Sequence, residues 1–329
     1  MKQSFTRGLV AAALAIGMSA GVADSAMATG KKGHGGRGVP VQQVSVQLFT
    51  FAEYIGFGTD AATITRTEEV FAKLKAYGYK NVEPFTLSGL TPEAYRDLLR
   101  KYGLKSPSRH VDVGDPTAPA NVDQIIAENK VLGIKYFSSG ATPNDKLVTE
   151  ADWVAYAKYL DGVGAKARQA GQQLMVHNHD WEFKKVYNGR TAYDLLQANT
   201  SKKNVAFQLD LYWVVQAGQD PIALLKKYGK RIQLLHVKDR RPSDGRIEIV
   251  GRGQIDFAKI FAAAKGQIAY YVVEHDPRFG DATFNPFEAA EVGFKYLQKV
   301  KFSGKGSDKG KGHGKDKGKG HGKDRGHGH

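Results

Sequence analysis

The chain has 329 residues, is 41% hydrophobic and 25% charged, and carries a formal net charge of +15 with no cysteine. Without thiols there are neither disulfides nor thiolate metal ligands, so stability must come from a packed core and any metal from N and O donors, which excludes zinc-finger chemistry. Residues 304–329 hold eight Lys or Arg against three Asp and so supply +5 of the excess, which leaves the charge a weak argument for nucleic acid binding.

Residues 1–28 carry Lys2 and Arg7, then the apolar stretch LVAAALAIGMSAGVA, then Ala26-Met27-Ala28. That order predicts a signal peptide cleaved after Ala28 and an exported protein, periplasmic or secreted. No other segment approaches the ~20 apolar residues of a membrane span, so no stable membrane insertion is expected after cleavage. Residues 29–39 read as a flexible Gly-rich segment, and residues 303–329 as a disordered basic Gly/Lys/His-rich tail. The tail's chemistry suits contact with anionic polymers or metal ions.

Between them, residues 40–302 alternate short β-type runs with amphipathic segments. Strands are expected at 44–51, 79–85, 104–111, 134–140, 173–178, 205–210, 232–238 and 268–274. Helices are expected at TRTEEVFAKLKAYG, TPEAYRDLLRKYG, NVDQIIAENKVLG, EADWVAYAKYLDGVGAKARQAG, DPIALLKKYG, DFAKIFAAAKG and FEAAEVGFKYLQKV. Thr91 caps the second and Pro92 opens it, and glycine closes most of them. Eight strand-helix units in this length predict a single (β/α)8 TIM barrel. A doubly wound sheet would carry GxGxxG after its first strand, and LFTFAEYIGFG has none.

Four metal-binding residue types stand at the ends of four different strands: His177, Asp210, His236 and Glu274. In a barrel those ends converge on one mouth, so the four are the expected ligands of one divalent ion. VHNHDWEF also offers His179 as a substrate contact and Glu182 as a base. FQLDLYWVVQAGQDP offers Trp213 as an aromatic wall for a sugar ring. LLHVKD places His236 and Lys238 on one strand face, with Lys238 able to hold a substrate oxygen. Glu83 in NVEPF and His110 in SRHV end earlier strands and serve as a candidate base and a candidate substrate contact. Two carboxylates and two imidazoles suit Mn²⁺, Co²⁺ or Zn²⁺, with Mg²⁺ and Fe²⁺ also compatible.

With GYKNVE, GLKSPSRHV, HNHDWEF, QLDLYWVVQAGQDP, LLHVKD, GRGQIDFAKIFAAA and YYVVEHD in that order, the chain resembles the sugar phosphate isomerase/epimerase family of xylose isomerase-like barrels. In that family a Glu, Asp, His and Glu hold the metal, which the resemblance carries onto His177, Asp210, His236 and Glu274. The departure is His177-Asn178-His179 where many members read Glu-Asn-His, which weakens the case for Mg²⁺ and leaves the first ligand open between His177 and His179. The resemblance implies a metal-dependent isomerase or epimerase that moves a proton next to a sugar carbonyl through a metal-stabilised enediolate, with Glu83, Glu182 or Glu274 as base. A lyase or dehydratase on a 3-keto sugar or glycoside would use the same carbanion. Two other classes compete: a metal nuclease, which needs more ligands than this chain offers, and a non-catalytic periplasmic metal- or carbohydrate-binding protein. A small carbohydrate is the expected partner, and no nucleic acid is expected.

Overall fold

The computed structural model describes residues 38–302 apart from positions 265, 278, 279, 281 and 282; the expected signal peptide, the glycine-rich segment up to residue 37 and the basic tail lie outside the described residues. Seven parallel strands form one curled sheet: β1 (Val44–Val46), β2 (Ser108–His110), β3 (Tyr136–Ser138), β4 (Gln173–His177), β5 (Val205–Asp210), β6 (Ile232–Val237) and β7 (Tyr270–Val273). Their order is β1-β7-β6-β5-β4-β3-β2, so neighbours in sequence are neighbours in space. This is a TIM barrel, and the eighth stave is the interesting departure.

Residues 79–85 lie between β1 and β2 as expected, but as isolated bridges rather than a ladder. Glu83 N donates to Val46 O at 2.8 Å on one side, and Val82 N donates to Lys105 O at 2.9 Å on the other. Pro84 has no N–H to extend the pairing, which is why the stave stays short while still closing the ring. The strand expected at 205–210 is observed over the same residues, and the others are shorter than expected. Beyond β1 the Gln47 side chain accepts from Phe49 N at 3.1 Å and turns the chain into a short helical segment, ending the extended conformation expected to residue 51.

Helices surround the sheet: α1 (Ala61–Tyr77), α2 (Pro92–Lys101), α3 (Val122–Leu132), α4 (Glu150–Gln169), α5 (Ala192–Ala198), α6 (Leu211–Gln216), α7 (Pro221–Tyr228), α8 (Phe257–Ala263) and α9 (Pro286–Lys299). Their starts are capped by side chains, with Thr91 receiving Ala94 N at 3.2 Å and Asn121 receiving Gln124 N at 3.2 Å. Two of them, α5 and α6, have no counterpart among the expected helices. Helix α5 opens with a reciprocal Thr191–Asp194 capping box, and α6 follows β5 directly because Asp210 is itself its cap.

Alternation along the strands sorts the side chains. Phe207 and Leu209 of β5 face the helices and join the main apolar core, whereas Ala206 packs in the lumen with Tyr136, Met175, Leu234 and Val272. One period further along, each of these apolar lumen positions is followed by a polar one: Ser138, His177, Gln208, His236 and Glu274, all buried. A dry layer at the base of the lumen thus supports a polar layer at the C-terminal end, where the active sites of such barrels sit.

Gly164 of α4 tests how tightly a helix meets this sheet. A Cβ there would stand 2.4 Å from the backbone oxygen of Asn204, just before β5. Gly164→Ala gains roughly 1 kcal/mol of helix propensity, but overpacking against backbone costs about 1–3 kcal/mol. The variant is expected to melt a few degrees lower; a raised Tm would show that the approach of α4 to residue 204 is not tight.

Candidate active site

The polar layer is built around His236. Its Nδ1 is 2.7 Å from Glu274 Oε2 and its Nε2 is 2.6 Å from Glu83 Oε1, with all three side chains buried. Burial works against a charged imidazole, but the two carboxylates outweigh it and push His236 up to about 10. Glu83 in turn receives Gln47 Nε2 at 2.8 Å, Gln208 Nε2 at 2.9 Å and Ser108 Oγ at 2.5 Å. Burial opposes its ionisation, yet His110, His236 and the Ser108 hydroxyl hold it down at about 2.

Above this layer Lys238 lies two residues beyond His236. Its ammonium is 3.1 Å from Asp210 Oδ2, 2.9 Å from Glu274 Oε2 and 2.7 Å from Asp276 Oδ1. The side chain is only 1% exposed, so these carboxylates replace its water shell. Asp210 divides its oxygens between two tasks. Oδ1 accepts from Trp213 N at 3.0 Å as the cap of α6, while Oδ2 is buried without a hydrogen-bond partner and faces the ammonium and the imidazoles. Burial first, and then Glu274, raise Asp210 to about 6 against the pull of Lys238.

Donor atoms of Asp210, His236 and Glu274 all lie within 4.8 Å of one another, and those of His110, His177 and His236 form a second such group. His177 Nδ1 is 3.1 Å from Gln208 Oε1, and its Nε2 is 4.0 Å from Asp210 Oδ2. The N and O donors and the net charge together suit a divalent cation. When Glu83, Asp210, Glu274 and Asp276 are ionised, these four carboxylates face two cations, Lys238 and His236, which leaves two negative charges in excess. Asp210, His236 and Glu274 would hold the ion with His177 beside them, and Glu83 would orient His236 from its far nitrogen.

A cavity of about 500 Å³ opens over this layer, lined by His110, His177, His179, Lys238, Glu274 and Asp276 among others. The remaining expected site residues fall outside its lining. Glu83 sits beneath it, occupied on both oxygens by the donors above. Glu182 is buried behind the β4 loop, receiving Thr142 Oγ1 at 2.6 Å and His179 N at 2.8 Å, so both carboxylates lie outside the cavity lining. Burial raises Glu182 to about 7. Trp213 backs the site instead of walling it, with its ring 5.3 Å from that of His179 and 5.7 Å from Lys238 Nζ. His179 stacks on Trp181 at 4.2 Å, which turns it away from both donor groups and leaves His177 as the imidazole beside Asp210. Burial and Lys238 press His179 down to about 3, so it is neutral.

Sequence reasoning passed over Asp276, Gln208, Phe49 and Phe85. Asp276 follows Glu274 by two and Gln208 precedes Asp210 by two, so strand alternation was the available signal. The two phenylalanines lie inside the strands expected at 44–51 and 79–85 but past the points where extended pairing stops, so strand alternation does not report their direction.

A parallel barrel whose strand ends gather carboxylates, imidazoles and a buried lysine around an open cavity defines an enzyme-type barrel mouth. The sequence model of the xylose isomerase-like TIM barrel family matches residues 71–300, and the chain belongs to that family. It is 29% identical over 170 residues to an inosose dehydratase of Lacticaseibacillus casei, covering 45% of this chain and 55% of that protein. A second inosose dehydratase, from Clostridium beijerinckii, is 28% identical over 232 residues, covering 63% and 68%. The chain thus spans about half the length of the first of these relatives. Among solved structures, a sugar phosphate isomerase/epimerase from Parabacteroides distasonis superposes with a TM-score of 0.64 at 23% identity, covering 79% of this chain and 94% of that one.

Two measurements probe the electrostatics. Lys238→Met leaves the buried carboxylates without their ammonium, and in chelator-treated protein it is expected to cost roughly 3–5 kcal/mol in denaturant unfolding; an unchanged midpoint would mean the ion contacts carry no net stability. In the same chelated protein the raised His236 gives a signed pH dependence. Its contribution is complete below an unfolded value of about 6.5 and is lost as pH rises through about 10, so stability should decline across that interval. A flat profile there would show that the imidazole is neutral between its carboxylates.

Proposed function

We propose that this protein is a metal-dependent isomerase or epimerase that removes and returns a proton next to the carbonyl of a sugar or keto sugar. The observation that supports it most is the convergence of donor atoms from Asp210, His236 and Glu274 beneath the cavity. A divalent ion there would supply Lewis acidity toward a carbonyl and its neighbouring hydroxyl.

The chain's own groups would do the rest. Lys238 holds a substrate oxygen and offsets negative charge as it develops there. Of the three carboxylates considered as base, Glu274 is the one that lines the cavity, and it is kept ionised because Lys238 and His236 outweigh the effect of burial. It is therefore assigned the proton transfer. Neutral His179 and His110 can direct hydroxyl groups without adding charge.

A second reading shares this floor. Loss of water from a keto sugar or keto polyol begins with the same proton removal, and the sequence relatives named inosose dehydratase favour it. The N-terminal pattern adds an exported location, which favours unphosphorylated substrates.

The test is elemental analysis of protein lacking residues 303–329, followed by solvent deuterium exchange on ketohexoses and 3-keto-glucosides read by NMR. About one ion per chain is expected, lost in Asp210→Ala and in Glu274→Ala, with exchange reduced at least roughly a hundredfold in both. A barrel that stays empty with Mn²⁺, Co²⁺ and Zn²⁺ would overturn the metal chemistry. Ion uptake without exchange would leave a binding protein. Exchange into recovered substrate or its epimer supports isomerisation, and a dehydrated product supports the second reading.

A further inference from the structure

The cavity is larger and more divided than proton transfer on one sugar ring requires. Its volume of about 500 Å³ falls inside the roughly 300–1,000 Å³ range of cavities that take drug-sized molecules. Two linked sugar rings belong to that size class, whereas one ring does not fill it.

Its lining comes from two halves of the barrel. The ionisable groups come mainly from β4 to β7 and their ends: the buried His177, Lys238 and Glu274, and the half-buried Asp276. The loops of the first half supply a different surface. Phe49 follows β1, Phe85 ends the 79–85 stave, Val111 and Asp112 follow β2, and Gly140 and Ala141 follow β3. Phe49 and Phe85 meet edge to face at 5.3 Å, and Phe57 leans on Phe85 at 5.8 Å. Phe57 is 65% exposed, so this aromatic surface runs from the cavity out to solvent. Asp112, also exposed, spends one oxygen on Gly114 N at 2.9 Å.

We infer that the substrate is a glycoside with at least two sugar rings, the reacting ring on the ionisable floor and the appended ring on Phe49, Phe85 and Phe57. This rests on the proposed carbohydrate chemistry and names its substrate class. Edge-to-face phenylalanines expose ring faces and edges that suit the C–H surface of a pyranose. The Asp112 carboxylate accepts from hydroxyl groups of that ring, a feature a purely aromatic aglycone would not use. The direction follows from burial, because His177, Lys238 and Glu274 on the floor are buried while the aromatic side reaches the exposed Phe57. The appended ring therefore emerges along the loops after β1, the 79–85 stave and β2.

The test is calorimetric titration of the full-length, Mn²⁺-loaded protein with glucose and with a panel of disaccharides including cellobiose, maltose and trehalose. At least one disaccharide is expected to bind ten times more tightly than glucose. In Phe57→Ala and in Phe85→Ala the disaccharide-to-glucose affinity ratio should fall at least fivefold, and Asp112→Asn should lower it less. Phe57 is exposed, so its variant guards against a folding defect. No gain for any disaccharide, or a gain that survives both phenylalanine variants, overturns the inference. Deuterium exchange on ketohexoses separates the two levels: exchange without a disaccharide gain leaves the reaction standing and removes only the second ring.

Discussion

Everything at the barrel mouth depends on compensating buried carboxylates. Glu83, Asp210 and Glu274 are almost wholly withdrawn from water, and an uncompensated ion in that position would cost several kcal/mol. His236 satisfies two of them at once, Glu83 through Nε2 and Glu274 through Nδ1, while Lys238 bridges Asp210, Glu274 and Asp276. The arrangement is possible because β6 sends residues 236 and 238 into the lumen at two successive heights. A one-residue slip of β6 would turn both cations toward the helices and leave the carboxylates stranded. The register His236 opposite Asp210 is thus tied to the electrostatics as firmly as to apolar packing.

The same network sorts the histidines by role. His236, between two carboxylates, is raised, whereas His110 is lowered by burial against the pull of Glu83, and His177 is lowered by burial and then by His236 and His110. Neutral imidazoles offer a lone pair or a single N–H, and Gln208 takes part in fixing which is which, since its Oε1 meets both His110 Nε2 at 2.8 Å and His177 Nδ1 at 3.1 Å. A carboxamide can do this without adding to the charge excess. Asp210 shows the same economy: one oxygen caps α6, and that contact aims the other into the site.

The barrel and the cluster of Asp210, His236 and Glu274 were legible in the sequence because strand alternation is a rule about direction. Once VAFQLD and IQLLHVK are read as strands meeting at a common mouth, their terminal polar residues must meet. The eighth stave was placed correctly in order but overestimated as a ladder, since Pro84 limits pairing in a way that apolar content does not reveal. Helix α6 was hidden because Asp210 had already been read as a strand end, and one residue serves as both. Glu182 looked catalytic beside two histidines, but HNHDWEF turns into a short helix at Trp181–Lys184, and its carboxylate folds back onto His179 N. Direction on a loop is set by such local hydrogen bonds, which carry no period.

That contrast explains how the two halves of the mouth can serve different ends. The floor is fixed by strand register and charge compensation, so a change at His236 or Lys238 disturbs several buried partners at once. Phe49, Phe57 and Phe85 stand on connecting segments, meet one another edge to face, and compensate no charge. Substitution there alters shape and apolar surface at little cost to the barrel. A floor fixed by register and charge, ringed by loops that can change, is the arrangement in which a barrel can alter what its mouth admits without disturbing the buried ion network.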